Sequence, residues 1–307
     1  MRVVVAGATG LLGRALCRSL CDGGYEVTAL VRRVDAARSL LPSSVTLVPW
    51  DLSVEGEWES CLLEAEAVVN LSGAPLDGQR WTPAYKGVLR SSRLETTHAL
   101  VRAWRDLGRL GGVLLNASAV GYYGDCGDAT ITEECRRGDG FLPELCADWE
   151  AEALKAQELR VRVVLLRTGL VLSAEGGMLR RMIPAFRWFV GGPLGSGQQW
   201  MPWIHIEDHV RMVVWLLEAR DVSGPVNLCA PYPVRMREFA AAVGAVLRRP
   251  SLVPVPAAAL RMIVGELADA ILASQRVVPD VASAHGFRWK YPRLEPALRA
   301  LLLHGNR

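Results

Sequence analysis

Short apolar runs alternate with amphipathic stretches along residues 1–168. The runs are rich in valine and leucine, which is typical of strands buried on both faces of a parallel sheet. They predict strands over residues 3–5, 25–31, 45–48, 67–71, 112–116 and 161–167. Apolar residues at helical spacing predict helices between them, most clearly over residues 89–107 and 144–159. This alternation predicts an α/β protein with a doubly wound parallel sheet, the Rossmann architecture.

The pattern changes after Thr168. A loop rich in glycine and proline, residues 191–197, is followed by a helical run over residues 208–219 and a short apolar run over residues 226–229. Proline and loop residues then become frequent. We predict a dinucleotide-binding domain over residues 1–172, with residues 204–229 returning to its sheet. Residues 173–203 and 230–307 are expected to form a smaller substrate lobe over the carboxyl edge of the sheet, where open α/β folds bind ligands.

Three glycines follow the first predicted strand at intervals of three residues, and an amphipathic run begins directly after them. Gly7 would allow a sharp turn, Gly10 a close approach of backbone to a pyrophosphate, and Gly13 close packing of helix on strand. The free N–H groups of the helix start would attract the phosphates. The predicted cofactor site also includes the residues between the glycines: Thr9, Leu11 and Leu12. A dinucleotide site is the prediction, and a purely structural turn is the alternative.

The second predicted strand ends in Arg32 and Arg33. Arg32 lies 19 residues after Gly13, near the position where NAD-binding folds place an acid for the ribose hydroxyls. An arginine pair instead matches a 2′-phosphate in charge and in forked hydrogen-bonding geometry. The pair predicts NADP(H) as the cofactor, with a solvated basic turn as the alternative.

Asp51 and Leu52 follow the third predicted strand. An acid beside an apolar residue at this place can bracket the adenine of the cofactor. Asp51 could equally cap a turn or a helix, and the sequence leaves both interpretations open.

Composition and charge exclude several classes of protein. Half of the 307 residues are hydrophobic, and 35 basic residues against 32 acidic ones leave a net charge of +3, too balanced to argue for nucleic acid. Seven cysteines without a C-x-x-C pair argue against a disulfide framework or a zinc site. No uncharged apolar run reaches about 18 residues, and the first predicted strand leaves no room for a signal peptide. We expect a cytoplasmic protein with no metal and no nucleic-acid or membrane partner.

Several segments, together with the glycine spacing, resemble the NAD(P)-dependent epimerase/dehydratase group of short-chain dehydrogenases/reductases. They are NLSGA at 70–74, NASAVGYYG at 116–124, LRTGLV at 166–171, WIHIED at 203–208, SRLETT at 92–97, DWEAE at 148–152 and GSGQQW at 195–200. The last three are similar to the epimerase-family branch often named after cell-division inhibitors. The resemblance implies a small-molecule substrate and a chain that could form a homodimer. It also implies that these residues contact the cofactor: Leu71, Ser72, Gly73, Ala74, Arg93, Ser118, Thr168 and Gly169.

The chain departs from the resemblance at the expected catalytic pair. Enzymes of this class usually carry Tyr-x-x-x-Lys on the helix after the fifth strand, where the tyrosine moves the proton that balances hydride transfer. None of the six tyrosines of this chain is followed by lysine at that spacing. Cys146 and Glu150 have the spacing but different chemistry.

Several residues could replace the missing pair. The resemblance implies that Ser118 holds a substrate oxygen, and we name Tyr122 and Cys146 as further catalytic candidates. Tyr123 could also sit over the substrate. Each aromatic could also be a packed loop residue, Cys146 a buried helix residue, and Glu150 a solvated side chain or part of a network.

His205 and Asp208 also invite a catalytic interpretation. The alternative is that Asp208 caps the following helix and His205 packs at a strand end.

Two functions follow from these features. The first is an NADP(H)-dependent oxidoreductase, or an enzyme like the nucleoside-diphosphate-sugar epimerases, which is supported by the complete cofactor cradle. The second is an NADPH-binding redox sensor or partner-binding protein with little turnover, which is favoured by the missing Tyr/Lys pair.

Overall fold

The structure, a computed structural model, describes residues 1–52 and 56–303. Its strands are β1 (Arg2–Ala6), β2 (Glu26–Val31), β3 (Thr46–Pro49), β4 (Ala67–Asn70), β5 (Val113–Ala119), β6 (Thr130–Ile131), β7 (Arg162–Thr168), β8 (Leu170–Leu172), β9 (Trp200–Met201), β10 (Trp203–His205), β11 (Gly224–Leu228), β12 (Val234–Arg235) and β13 (Arg276–Val277). Its α-helices are α1 (Leu11–Asp22), α2 (Val34–Arg38), α3 (Glu57–Glu64), α4 (Pro83–Asp106), α5 (Phe141–Leu154), α6 (Gly177–Arg187), α7 (Ile206–Glu218), α8 (Met236–Leu247), α9 (Ala257–Val264), α10 (Leu267–Leu272), α11 (Asp280–Ala284) and α12 (Leu294–Leu303). Two 3₁₀ turns span Val120–Tyr123 and Lys155–Leu159.

Within the described residues, seven parallel strands form the central sheet in the order β11-β7-β5-β4-β1-β2-β3. The order reverses beside β1, so the crevice for a ligand lies at the carboxyl ends of β1 and its neighbour β4. This architecture confirms the predicted doubly wound α/β sheet. Parallel pairing brings all seven carboxyl ends to one edge, which is where the predicted site residues lie.

Helices cover both faces of the sheet. Val3 and Val5 pack on one face in a core shared with Leu16 of α1 and Val213 of α7. Val4 points to the opposite face, into a second core that includes residues of α3 and α4. The alternation of buried side chains along β1 is the period of two that a strand between two helical layers requires.

Two predicted elements differ from the observed ones in ways that matter for the site. β5 continues to Ala119, three residues beyond its predicted end, because Ser118 and its neighbours pair with β7. α4 begins at Pro83 instead of residue 89, since Thr82 caps it by accepting a hydrogen bond from the Tyr85 N–H at 3.2 Å. The pairing with β7 therefore sets the end of β5, and the Thr82 cap sets the start of α4, at residues that the apolar pattern did not predict.

The chain from β8 onward forms a third core. Phe239 of α8 and Leu298 of α12 pack with Trp203 in a separate apolar cluster. β11 returns to the central sheet beside β7. The division into residues 1–172 with 204–229, and 173–203 with 230–307, stays a prediction, and residues 304–307 of the predicted lobe lie outside the described residues. No helix of residues 1–52 and 56–303 is long and apolar enough to cross a membrane.

Candidate functional site

The turn after β1 needs glycine at two positions for its own packing. Gly7 has a φ of +76°, and a Cβ there would lie 2.6 Å from the carbonyl carbon of Leu71. A Cβ on Gly13 would lie 2.3 Å from the carbonyl oxygen of Gly7. These two glycines let α1 and the segment after β4 close around the end of β1.

Gly10 is different, because the protein itself leaves its side-chain position nearly open. It is exposed, and the nearest atom to a Cβ there is the Gly7 carbonyl oxygen at 3.3 Å. Gly10 caps α1, and the N–H groups of the first turn follow it. Exposed Thr9 and half-buried Leu11 and Leu12 lie on either side of this opening. An opening above a helix N-terminus fits the pyrophosphate of a dinucleotide.

Arg32 and Arg33 lie at the carboxyl end of β2, beside the glycine turn of β1. Both are exposed, and neither forms an ion pair within residues 1–52 and 56–303. Exposed Asp51 and Leu52 follow β3, whose end is held to β2 by a 2.9 Å hydrogen bond from the Trp50 N–H to the Val31 carbonyl. The residues predicted to bind the adenosine half of a cofactor therefore follow neighbouring strands.

Three buried polar side chains hold the segment after β4. The Asn70 side-chain amide donates to Thr97 Oγ1 at 2.9 Å and to Asn116 Oδ1 at 2.8 Å. Its oxygen accepts a 3.1 Å hydrogen bond from the Ser72 N–H. Register places Asn70 opposite Asn116 on β5, so the sheet fixes this contact. The network fixes the path of Leu71 and Ser72 past Gly7.

The Arg93 guanidinium lies beneath Gly73 and Ala74. It donates to the carbonyls of Ala74 at 3.1 Å and Leu89 at 2.9 Å, and it lies 5.2 Å from the centre of the Trp149 ring. No carboxylate of the described residues pairs with it, and burial lowers the pKa of Arg93. Arg93 is therefore a half-buried cation beside the predicted cofactor path.

The position of the missing Tyr/Lys pair holds a buried ionic network. Glu150 and Arg167 pair across α5 and β7 with two hydrogen bonds, Arg167 Nε to Glu150 Oε1 at 2.9 Å and Arg167 Nη2 to Glu150 Oε2 at 2.8 Å. Ser118 Oγ donates to Glu150 Oε1 at 2.6 Å. All three side chains are buried, with 4–5% exposed. Burial alone would lower the pKa of Arg167, but the hydrogen bonds and charge of Glu150 outweigh it and raise that pKa.

Both tyrosines of the 3₁₀ turn contact Arg167. The guanidinium lies 3.6 Å from the centre of the Tyr122 ring, and Arg167 Nη1 donates to the Tyr123 hydroxyl at 3.0 Å. Tyr123 then donates to Asn227 Oδ1 at 2.8 Å, and burial raises its pKa well above the ordinary value. Tyr122 is the less buried of the two. The catalytic prediction for Tyr122 stays open, while Tyr123 is a buried hydrogen-bonding member of the network.

Buried Glu133 forms the outer part of the same network. Its Oε1 accepts from the Asn227 N–H at 2.9 Å, and its carbonyl accepts from Arg167 at 3.3 Å. Burial raises the pKa of Glu133. A buried acid therefore links β11 to the charged pair of α5 and β7.

The sulfur of Cys146 lies close to this network but stays a thiol. Burial, followed by the charge of Glu150, raises its pKa to about 12. A thiol with this pKa is a weak acid and a poor nucleophile near neutral pH. This raised pKa disfavours Cys146 among the predicted catalytic candidates.

Thr168 is the last residue of β7, directly after Arg167, and Gly169 follows it. Thr168 Oγ1 lies 3.2 Å from His209 Nε2, and burial lowers the pKa of His209 to about 4, so this histidine is neutral. A Cβ on Gly169 would lie 2.4 Å from the Pro202 carbonyl oxygen, so packing alone explains why this position is glycine. Their predicted contact with a nicotinamide stays a prediction.

His205 and Asp208 have structural partners. His205 Nδ1 accepts from the Glu207 N–H at 3.1 Å, so the cap of α7 is His205 and not Asp208. Asp208 is fully buried and accepts from the N–H groups of Lys290 and Tyr291, each at 2.7 Å. This pair therefore anchors the C-terminal segment to α7.

The sequence did not predict that Arg167, Glu133 and Asn227 belong to a buried polar network. The available signal was an arginine at the end of the apolar run 163–166, which needs a buried partner. Glu150, at the position of the missing lysine, is that partner.

Comparison with known proteins places the chain among relatives that match almost all of it. The family model described as NAD dependent epimerase/dehydratase family matches residues 3–229, and one described as Domain of unknown function (DUF1731) matches residues 255–301. Epimerase family protein SDR39U1 homolog, chloroplastic, from Arabidopsis thaliana is 40% identical over 304 residues, covering 98% of this chain and 87% of the relative. Epimerase family protein Mb2239 from Mycobacterium bovis is 41% identical over 298 residues, covering 96% of each.

Solved structures agree with this placement. The crystal structure of human epimerase family protein SDR39U1 (isoform 2) with NADPH has a TM-score of 0.85 and 32% identity, covering 98% of this chain and 99% of that one. UDP-glucuronic acid 4-epimerase from Bacillus cereus has a TM-score of 0.77 at 16% identity, covering 98% of each chain, and shows the fold alone. The family model covers most of the chain and the relatives cover nearly all of it, so the chain belongs to the NAD-dependent epimerase/dehydratase family, as its motifs predicted.

Proposed function

We propose that the chain is an NADP(H)-dependent oxidoreductase or epimerase-like enzyme that acts on a small molecule. The open position above Gly10 supports the cofactor, and so do the charges of Arg32 and Arg33, which are unpaired among residues 1–52 and 56–303. The NADPH in the crystal structure of the human relative supports it as well. Bound there, NADP(H) would supply or accept a hydride. We also expect a cytoplasmic protein, and the family resemblance implies that the chain could form a homodimer.

The residues present fit this cofactor. The start of α1 would hold the pyrophosphate, Arg32 and Arg33 the 2′-phosphate, and Asp51 with Leu52 the adenine. The segment fixed by Asn70 would pass the ribose.

The observation that carries an enzymatic function is the hydrogen bond from Ser118 to Glu150. Because the serine proton points to the carboxylate, the lone pairs of Ser118 Oγ can accept a hydrogen bond from a substrate hydroxyl. Arg167 donates one hydrogen bond to each carboxylate oxygen, so the carboxylate of Glu150 is held in place beside Ser118 as an acceptor for its proton. In this arrangement a hydroxyl proton passes to Ser118 while the serine proton passes to Glu150. The reverse transfer returns the proton to the substrate oxygen.

The second candidate is an NADPH-binding sensor with little turnover. The absence of Tyr-x-x-x-Lys from the sequence favours it. The serine and the ionic pair favour the enzyme, because perturbed charged groups at a sheet edge are typical of catalytic sites.

Cofactor turnover in the presence of a metabolite mixture separates the two functions. We expect wild-type protein to oxidise NADPH, to reduce NADP⁺ or to epimerise at least one component. Ser118→Ala should lower that rate by about 10²–10⁴-fold, the usual contribution of a proton-transferring group, and leave NADPH affinity unchanged. Ser283→Ala, which removes a hydroxyl bonded to the Pro279 carbonyl on α11, is the matched control. NADPH binding with neither cofactor turnover nor epimerisation of any component would favour the sensor.

A further inference from the structure

The C-terminal ends of α6 and α8 expose an unusual number of large apolar side chains. Trp188, Phe189 and Val190 follow α6 with 80%, 58% and 53% of their surface exposed. Leu252 and Val253 follow α8 with 81% and 45% exposed. We call residues 187–190 and 248–253 the α6–α8 tip. Contiguous exposed apolar surface of this kind marks an interaction site.

Backbone and side-chain contacts join the two segments into one surface. The Val253 N–H donates to the Gly191 carbonyl at 3.2 Å. The Arg249 guanidinium lies 4.7 Å from the centre of the Phe189 ring. Phe189 has a φ of +63° and Arg248 a φ of +54°, a backbone conformation that side chains other than glycine rarely adopt. The chain therefore adopts, at the end of each helix, a left-handed backbone conformation that glycine usually occupies.

The charged residues in the sequence on either side of the two tip segments are all basic. No acidic residue occurs between residues 176 and 206 or between residues 239 and 265, whereas Arg187, Arg248 and Arg249 are exposed at the tip. Each helix C-terminus contributes about half a negative charge. Three arginines against two such ends leave the tip with about two net positive charges.

We propose that the α6–α8 tip docks on the surface of an anionic lipid bilayer. Aromatic and aliphatic side chains at a protruding tip suit the boundary between headgroups and acyl chains, and the arginines suit anionic headgroups. The sequence-based expectation of no membrane partner rested on the length of apolar runs. Run length tests whether a segment can span a bilayer and does not test docking on its surface.

Sedimentation with lipid vesicles tests the proposal. We expect the full chain to sediment with vesicles of equal parts phosphatidylcholine and phosphatidylglycerol, but not with phosphatidylcholine alone. Raising the salt from about 0.1 M to about 1 M should release it, because screening shortens the reach of exposed charges from about 10 Å to about 3 Å. This salt test needs no variant.

Two variants separate the charged and apolar contributions. Arg248→Ser/Arg249→Ser should lower partitioning about 25-fold, since each basic residue near an anionic surface contributes about fivefold. Trp188→Ser/Leu252→Ser should lower it at least about tenfold through lost apolar burial. Tyr232→Ser, an exposed aromatic residue beside Arg293 and outside the tip, is the control and should bind like wild type.

Four results would overturn the proposal. They are failure to sediment with the mixed vesicles, equal binding to both vesicle types, salt-independent binding, and wild-type binding by both double variants. A dimer that forms without vesicles and is lost in Trp188→Ser/Leu252→Ser would instead assign the tip to a second copy of this chain.

Discussion

Substitutions of the buried pair Glu150 and Arg167 can separate its contribution to stability from its proposed contribution to turnover. Both side chains are almost fully buried and share two hydrogen bonds. Removing one partner leaves an uncompensated buried charge, which costs about 3–5 kcal/mol of unfolding free energy. Replacing both by apolar side chains of similar volume is often neutral or stabilising. We therefore expect Glu150→Met and Arg167→Met each to be strongly destabilised, and the double variant to recover most of the loss.

Activity should behave differently from stability in the same series. The double variant keeps the packing but has no acceptor for the Ser118 proton, so its turnover should stay about 10²–10⁴-fold below wild type. Urea unfolding measures the stabilities, and NADPH titration confirms that the cofactor site is intact. Arg261→Ala/Asp269→Ala, which removes an exposed ion pair of 3.1 Å, is the control and should change stability by less than about 1 kcal/mol.

Two outcomes would refute this reasoning. Additive losses of stability in the double variant would mean that the pair is not energetically coupled. Recovery of turnover together with stability would mean that Glu150 holds the fold and takes no part in proton transfer.

Further predictions concern the cofactor and the histidines. Arg32→Ala/Arg33→Ala should weaken NADPH binding roughly tenfold to several hundredfold and leave NADH binding nearly unchanged, as measured by calorimetry. Arg18→Ala, at an exposed arginine of α1, is the control. Equal losses of affinity for both cofactors would contradict the contact with the 2′-phosphate. Gly10→Val should abolish NADPH binding while the midpoint of thermal unfolding stays near that of the wild type. Gly13→Ala should lower this midpoint, because its Cβ would lie 2.3 Å from the Gly7 carbonyl oxygen. Wild-type NADPH affinity in Gly10→Val would contradict the proposed pyrophosphate site at the glycine turn. His209 has a folded pKa of about 4 against an ordinary 6.5, so the unfolded chain binds more protons between these values and stability should fall as pH drops from about 6.5 to 4. His209→Gln should flatten that slope in urea unfolding, and an unchanged slope would assign it to other groups.

Local signals predicted the sheet and the cofactor turn. Val3–Val5 followed by glycines at 7, 10 and 13 specify a strand, a turn and a helix within a few residues of each other. The parallel pairing of such units then fixes the edge at which Arg32 and Asp51 lie. These features need no knowledge of distant residues.

The buried network around Arg167 could not be predicted in the same way. Ser118, Glu150 and Arg167 come from three elements, and the register of β5 on β7 places Ser118 opposite Arg167. The spacing of Cys146 and Glu150 located the position of the missing pair, but a glutamate on a helix is usually solvated. Its burial follows from Arg167, whose partner the sequence pattern does not identify.

The most direct test of the account follows a deuterium label from the cofactor. NADPH deuterated at both C4 positions is incubated with the protein and a metabolite mixture, and the metabolites are analysed by mass spectrometry. We predict that deuterium appears in a metabolite with the wild-type chain and is strongly reduced with Ser118→Ala and with Glu150→Met/Arg167→Met. Retention of all deuterium on the cofactor, in a protein that binds NADPH tightly and epimerises no metabolite of the mixture, would contradict the enzymatic account and leave the sensor.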